Sequence, residues 1–126
     1  MRDLNRIILM GRLGADPVKR QTQKGTPVTH FPLATSSYLK GSAPSDNIDA
    51  SDEKPMDAEK RTQWHHIVVW GKNAEICSQY LRKGSAVYLE GELRSHLYEN
   101  KEGQKKRAFE VHTSIVNFIG PAAQAG

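Results

Sequence analysis

The stretch Thr62-Gln63-Trp64-His65-His66-Ile67-Val68-Val69-Trp70-Gly71, running on through Lys72 to Tyr98, decides how this chain folds. Successive side chains of a strand point to opposite faces. Within Gln63 to Trp70, Trp64, His66, Val68 and Trp70 therefore share one face, and His65, Ile67 and Val69 share the other. The second set can enter a core. The first puts two indoles on a face that a small domain cannot also bury. Asn73 to Lys83 then has helical spacing, with Ala74, Ile76, Cys77, Tyr80 and Leu81 on one stripe. Arg82 and Lys83 fall in the predicted last turn and Gly84 at its cap. The next strand, Ser85 to Tyr98, alternates again. Val87, Leu89, Gly91, Leu93 and Leu97 lie on one side; Tyr88, Glu90, Glu92, Arg94, His96 and Tyr98 lie on the other. Both strands thus offer a mixed face with aromatic and basic groups, and the two together make a binding surface.

Working outward, Asn5 to Leu13 reads as a strand around Ile7, Ile8, Leu9 and Met10. Asp16-Pro17 and Lys24-Gly25-Thr26-Pro27 are turn signals, and the hairpin or loop they enclose is basic through Lys19, Arg20 and Lys24. Val28 to Ser36 is a further strand, in which Pro32 marks an edge, a bulge or a bend because proline donates no ladder hydrogen bond. Residues 40 to 61 are polar and rich in Gly, Ser, Pro, Asp and Glu, and read as one long mobile loop within a single domain. Asn100 to Arg107 is a turn with Lys101, Lys105, Lys106 and Arg107. Ala108 to Ile119 is the last strand, with Phe109, Val111 and Ile115 nominally on one face, and 121–126 is a frayed tail. The expectation is a mainly β domain over 1–120, a five-stranded closed barrel with one helix between strands 3 and 4. Closure removes most open sheet edges.

Composition narrows the function. The 126 residues are 37% hydrophobic with a net charge of +4, and no apolar run reaches the roughly 18 residues of a membrane span. Asp46, Asp49, Asp52, Glu53, Asp57 and Glu59 stand against a single Lys54, so the remaining chain is strongly basic. A basic body suits a polyanionic partner. The lone cysteine excludes an intramolecular disulfide, and Cys77 sits on the apolar helical stripe as a small buried hydrophobe. The N-terminus lacks a signal-peptide layout, which points to the cytoplasm. His65 and His66 face opposite ways and cannot chelate one ion together, so neither metal nor cofactor is expected. No nucleophile–base arrangement and no phosphate-binding loop is present, so no catalytic residue is assigned and an enzyme is not expected.

Several segments resemble bacterial single-stranded-DNA-binding proteins: Asn5 to Pro17, Phe31-Pro32-Leu33-Ala34-Thr35-Ser36, Thr62-Gln63-Trp64-His65 and Val68-Val69-Trp70-Gly71-Lys72. Tyr80 to Ser85, Val87 to Gly91 and Leu93-Arg94 match as well, in order, over about residues 4 to 118. The resemblance implies an oligonucleotide-binding barrel, assembled as a homotetramer, that coats single strands without sequence preference in replication, recombination and repair. It puts Trp64 at a base-stacking tryptophan, Trp70 where the family has a stacking phenylalanine, and Tyr98 at a further stacking tryptophan. Another such tryptophan aligns with Leu39, and Tyr38 beside it is the candidate substitute. Arg94 matches a backbone-contacting arginine and His96 replaces another. Arg6, Lys72, Lys105, Lys106 and Arg107 complete the cations expected at phosphates. His65 aligns with a histidine of the subunit interface, and the Tyr88–Glu90 face is expected near subunit contacts. The family continues into an acidic-tipped tail that docks replication and repair enzymes; this sequence stops at Gly126 without one. Two other readings of the same residues are a dimeric primosome-type paralogue acting in replication restart, and a module whose exposed aromatics dock a polypeptide.

Overall fold

The computed structural model describes residues 1–39 and 59–120. Its elements run β1 (Ile7–Leu13), β2 (Val18–Gln21), β3 (Pro27–Leu39), β4 (Glu59–Trp70), α1 (Lys72–Tyr80), β5 (Ala86–Glu99) and β6 (Lys105–Gly120). The strands are ordered β1-β5-β6-β4-β3-β2, and β1 also pairs with β3 through Arg12↔Ala34 and Leu13↔Leu33. That last contact closes β1, β5, β6, β4 and β3 into a ring of five, with β2 laid along the outside of β3. Closure needs two backbones to come close at Gly11, where a Cβ would lie 2.2 Å from the Ala34 carbonyl oxygen. Any side chain there would push β1 off β3.

The expected five strands are present, and the basic loop contributes the sixth. β2 hydrogen-bonds to β3 from Val18↔His30 to Gln21↔Pro27, around a turn in which Gly25 takes φ +86°. Pro32 falls in the gap between the β2 and β1 pairings of β3, where its missing N–H forfeits no ladder bond. Its carbonyl accepts from Gly14 N–H at 2.9 Å. β3 and β4 are longer than expected. They pair without a break from Val28↔Trp70 to Leu39↔Glu59, so 59–61 belong to a strand and not to the loop. The rest of that acidic loop and the tail at 121–126 lie outside the described residues.

The core is the inside of the ring. Leu13, Phe31, Leu33, Ile67, Val69, Val87, Leu89 and Val111 pack there with Ala74, Cys77 and Leu81 of the helical segment, which plugs one end. The helix is shorter than its sequence pattern. It stops at Tyr80, Leu81 turns extended, and Arg82 and Lys83 lie beyond it in the turn closed by Gly84 at φ +91°. Ile76 and Tyr80, assigned to the apolar stripe, are exposed, because the face turned to the core is the narrow one of Ala74 and Cys77, three residues apart. Burial pushes the Cys77 thiol up to about 11, so it stays protonated and inert at neutral pH.

Alternation also fails along β5 and β6. The register shifts between Glu90 and Gly91, where Ser114 is the extra residue between Ile115 and Thr113. Parity flips, so Val116 packs on the core and Ile115 faces out. Past this bulge the two strands leave the barrel as an arm. Leu93, Leu97 and Phe109, expected on core-side faces, are 44%, 59% and 57% exposed. At its tip, Asn100 Oδ1 accepts from the backbone N–H of Glu102 and Gln104, both at 2.9 Å, which fixes the turn.

Candidate nucleic-acid interface

The outer face of β4 carries the candidate site, and the registers place its neighbours. Ala34 lies opposite Trp64, Pro32 opposite His66, His30 opposite Val68 and Val28 opposite Trp70. On the other side β6 runs parallel to β4, with Val68 beside His112. Glu92 then pairs with His112, Arg94 with Glu110, His96 with Ala108 and Tyr98 with Lys106. Directly paired residues share a face. One continuous surface therefore joins Trp64, His66 and Trp70 to His112, Glu110, Arg94, His96 and Tyr98. It also explains why Val68, on the outward side of its strand, is 2% exposed: rings on both neighbouring strands flank it.

Both indoles are held and still open. Trp64 is 57% exposed, and its ring rests on Gly14, where a Cβ would meet it at 2.4 Å. Trp70 is 43% exposed. Its indole Nε1–H donates to His112 Nδ1 at 3.1 Å, with the two rings 23° from parallel. Arg94 Nη1 also donates to that nitrogen at 3.4 Å, and His112 Nε2 lies 3.0 Å from Glu110 Oε1. Two donors at Nδ1 place the ring proton on Nε2, where Glu110 accepts it. Burial alone would raise the Glu110 carboxyl, but the His112 hydrogen bond and the surrounding imidazoles outweigh it and hold the carboxyl below its ordinary value. Trp70, Arg94 and His112 line one open cleft of about 460 Å³ with Arg6, Glu90 and Glu92.

The structure sorts the remaining site residues. Tyr38 is 67% exposed and lies on the Trp64 face of the β3–β4 ribbon, opposite Lys60. Tyr98 stacks obliquely on His96, ring centroids 6.4 Å apart, on the arm. The basic triplet is divided. Lys106 shares the face of Tyr98 and Arg94, whereas Arg107 pairs with Leu97 and Lys105 with Glu99 on the reverse. Arg107 Nη1 donates to Ser95 Oγ at 2.9 Å there. Lys72 opens α1 two residues beyond Trp70. Arg94 is tied to Glu92 at 2.8 Å and Arg6 to Glu90 at 2.7 Å, both on the surface. Such pairs are weak enough for a phosphate to displace the carboxylate.

The three residues assigned to assembly fall in two places. His65 is half-buried on the core side of β4, where its Nε2 lies 2.9 Å from Thr35 Oγ1, and desolvation lowers its pKa. Tyr88 and Glu90 stand on the outer face of β5, opposite Met10 and Ile8 of β1. The Tyr88 hydroxyl donates to Glu90 at 2.5 Å, and this bond with that of Arg6 holds the Glu90 carboxyl low. Sequence reasoning assigned no role in the site to His30, His112, Glu110, Gly14 or Asn5. Asn5 Nδ2 donates to the Leu93 carbonyl at 2.9 Å and its Oδ1 accepts from Leu93 N–H at 3.0 Å, docking the segment before β1 onto the base of the arm. The strand alternation already put His112 on the face of Glu110, but not beside Trp70, because a parallel β4–β6 pairing leaves no local signal.

A five-stranded barrel closed through β1 and β3, with a helix after the third strand of the ring and a half-exposed aromatic and cationic face, is of the oligonucleotide-binding class. The chain matches the model of the single-strand binding protein family over residues 4–119 and belongs to that family. It is 43% identical to single-stranded DNA-binding protein 1 of Chlorobaculum tepidum, over 99% of this chain and 70% of that protein. It is 37% identical to a single-stranded DNA-binding protein of Xanthomonas campestris, over 94% of this chain and 62% of that protein. The chain thus spans between three-fifths and three-quarters of the length of these relatives. A solved structure described as Plasmodium falciparum SSB in complex with ssDNA superposes with a TM-score of 0.77 at 28% identity, covering 94% of this chain and 97% of the other. Among the described residues no helix is long and apolar enough to cross a membrane, and no group of three or more His, Cys, Asp or Glu side chains is arranged to hold a metal ion.

Proposed function

We propose that this protein binds single-stranded DNA without sequence preference and protects it during replication, recombination and repair, as a binding protein and not an enzyme. The observation that carries the reading is the pair of half-exposed indoles, Trp64 and Trp70, fixed on one face with Arg94, His96 and Tyr98. Every base has a π-face, so an aromatic platform accepts any sequence, and each stack contributes about 1–3 kcal/mol. Cations beside the rings neutralise phosphates and release counterions. A duplex hides its base faces, which gives the preference for single strands. Stacking is assigned to Trp64, Trp70, Tyr98 and Tyr38, and phosphate contact to Arg6, Lys72, Arg94, His96 and Lys106, with Lys105 and Arg107 reaching a strand only as it wraps the arm. Titration with oligothymidine tests this. Tight, length-dependent binding with tryptophan quenching is expected; a chain that binds duplex as well as single strand would refute it.

Assembly as a homotetramer belongs to the same proposal. Two features support it: β1 pairs with β3 only at Arg12 and Leu13, leaving Ile7 to Gly11 with an open edge, and Ile8, Met10 and Ile115 are exposed beside Tyr88 and Glu90. An open edge with exposed aliphatics is a template for another strand. Sedimentation should give a tetramer at micromolar concentration, and a stable monomer would remove this part.

A further inference from the structure

We propose that His30 and His66, with Arg20 of β2, form a second phosphate-binding subsite on the β3 side of Trp70, and that single-stranded DNA bound there takes up a proton. The inference rests on the single-strand-binding reading above.

Four of the five histidines, His30, His66, His96 and His112, lie on the one outward face described above. Two of them, His96 and His112, are already engaged by Glu110, at 4.0 and 3.0 Å. His30 and His66 instead face each other, ring centroids 5.6 Å apart and tilted 55°. Val18 is the β2 partner of His30, and Arg20, two residues along, projects from the same face. Two imidazoles and a guanidinium therefore stand together beside an exposed indole, which is the composition of a phosphate site flanking a stacked base. Protonated imidazoles and a guanidinium carry only donors, so an anion is the fitting occupant.

The charges facing His30 are Arg20 from β2, His66 from β4, and Glu110 and His112 from β6. Burial first, and then the neighbouring His66, lower the pKa of His30; Glu110 opposes this and is outweighed. The charged form of His30 is thus disfavoured in the free protein. A phosphodiester between His30 and His66 adds an opposite charge to both, which favours the imidazolium. Binding and protonation are then linked, each strengthening the other. A histidine whose folded pKa lies below its unfolded value costs stability as pH falls through the unfolded value, so the fold is checked by circular dichroism at the acid pH used.

Oligothymidine is the probe, because thymine carries no group that titrates in the histidine range. Binding is measured by tryptophan quenching over a salt series at about pH 8 and about pH 5.5, either side of the histidine range. The His30–His66 pair should steepen the wild-type salt slope in acid by up to about 1.4, which is about 0.7 for each imidazolium engaged. Affinity at low salt should rise on the order of tenfold between the two pH values. The double variant His30→Gln, His66→Gln should lose the larger part of this acid gain, while Lys106→Gln lowers affinity equally at both pH values. A double variant that keeps the whole gain, or a wild type whose affinity ignores pH, overturns the subsite. Failure to bind oligothymidine at either pH would instead remove the functional reading on which it rests.

Discussion

The barrel face and the β5–β6 arm carry similar side chains under different physical conditions. On the barrel, Trp64 lies on Gly14, Trp70 is pinned by His112, and Ile67 and Val69 of the closed core back their strand. On the arm, Tyr98 and His96 project from a two-stranded ribbon whose reverse bears exposed Leu93, Leu97 and Phe109. A ring held over a core meets a base with its orientation already set. In the proposed binding mode, a ring on a ribbon solvated on both sides has fewer contacts to hold it, so fixing it against a base costs more entropy. In that mode the barrel is therefore the fixed platform, and the arm supplies reach.

The sharpest way to break this comparison uses two leucines of one strand. Leu89 is fully buried and Leu97 is 59% exposed. Leu89→Ala should destabilise the fold by about 2–5 kcal/mol, and Leu97→Ala by no more than about 0.5. Urea unfolding reads both, and equal losses would mean that the arm is packed against something.

The rings come next. Trp64→Ala and Trp70→Ala should each weaken oligothymidine binding by about 1–3 kcal/mol with the melting profile retained. Tyr98→Ala should fall at the lower end of that range, because part of its stacking is spent on ordering the arm. Collapse of the fold in either tryptophan variant would make that residue a core element. A smaller effect separates the two faces of the arm itself. Lys106→Gln should reduce the salt slope for single strands by about 0.7, and Arg107→Gln by less, since it points to the reverse face. Identical slopes would show that DNA wraps both faces.

The smallest effect concerns the acidic stretch 46–58. These residues lie outside the described structure; the expectation from the sequence is that their carboxylates, tethered ahead of Trp64, compete with DNA for the basic face, against a loop that plays no part. Screening acts within about 10 Å at 0.1 M salt, so the competition is modest. Replacing 46–58 with a Gly/Ser linker of equal length should tighten oligothymidine binding at low salt, the gain fading by about 0.3 M. Affinity unchanged at low salt would remove that role.

How far the sequence could be read depended on the range of the interaction. Period-two alternation in β4 put Trp64 and Trp70 on one face and Ile67 and Val69 on the other, as the burial shows. The strand–helix–strand order was legible for the same local reason, and the expectation of a barrel came from the order of the elements, not from alternation. Alternation lost its meaning at the bulge after Glu90, which turned Ile115 outward and brought Val116 to the core. It also placed Leu93, Leu97 and Phe109 on core-side faces, because a pattern assigns a face but not the presence of anything to pack against. The helix end was missed by three residues, since Leu81 is drawn into the core in extended backbone.

The sequence by itself determined the five strands of the ring, the core side chains Ile67, Val69, Val87 and Leu89, the two exposed indoles and, through ordered motifs along nearly the whole chain, the family. Those features are set by neighbours within a few residues, where side-chain periodicity and turn chemistry act. Only the tertiary structure decided that His112 holds the Trp70 indole, that Gly14 lies under Trp64, that Lys106 parts from Arg107, and that His30 meets His66. Each of these joins residues brought together by ring closure or by the parallel β4–β6 pairing, and separation along the chain leaves no local trace of such contacts.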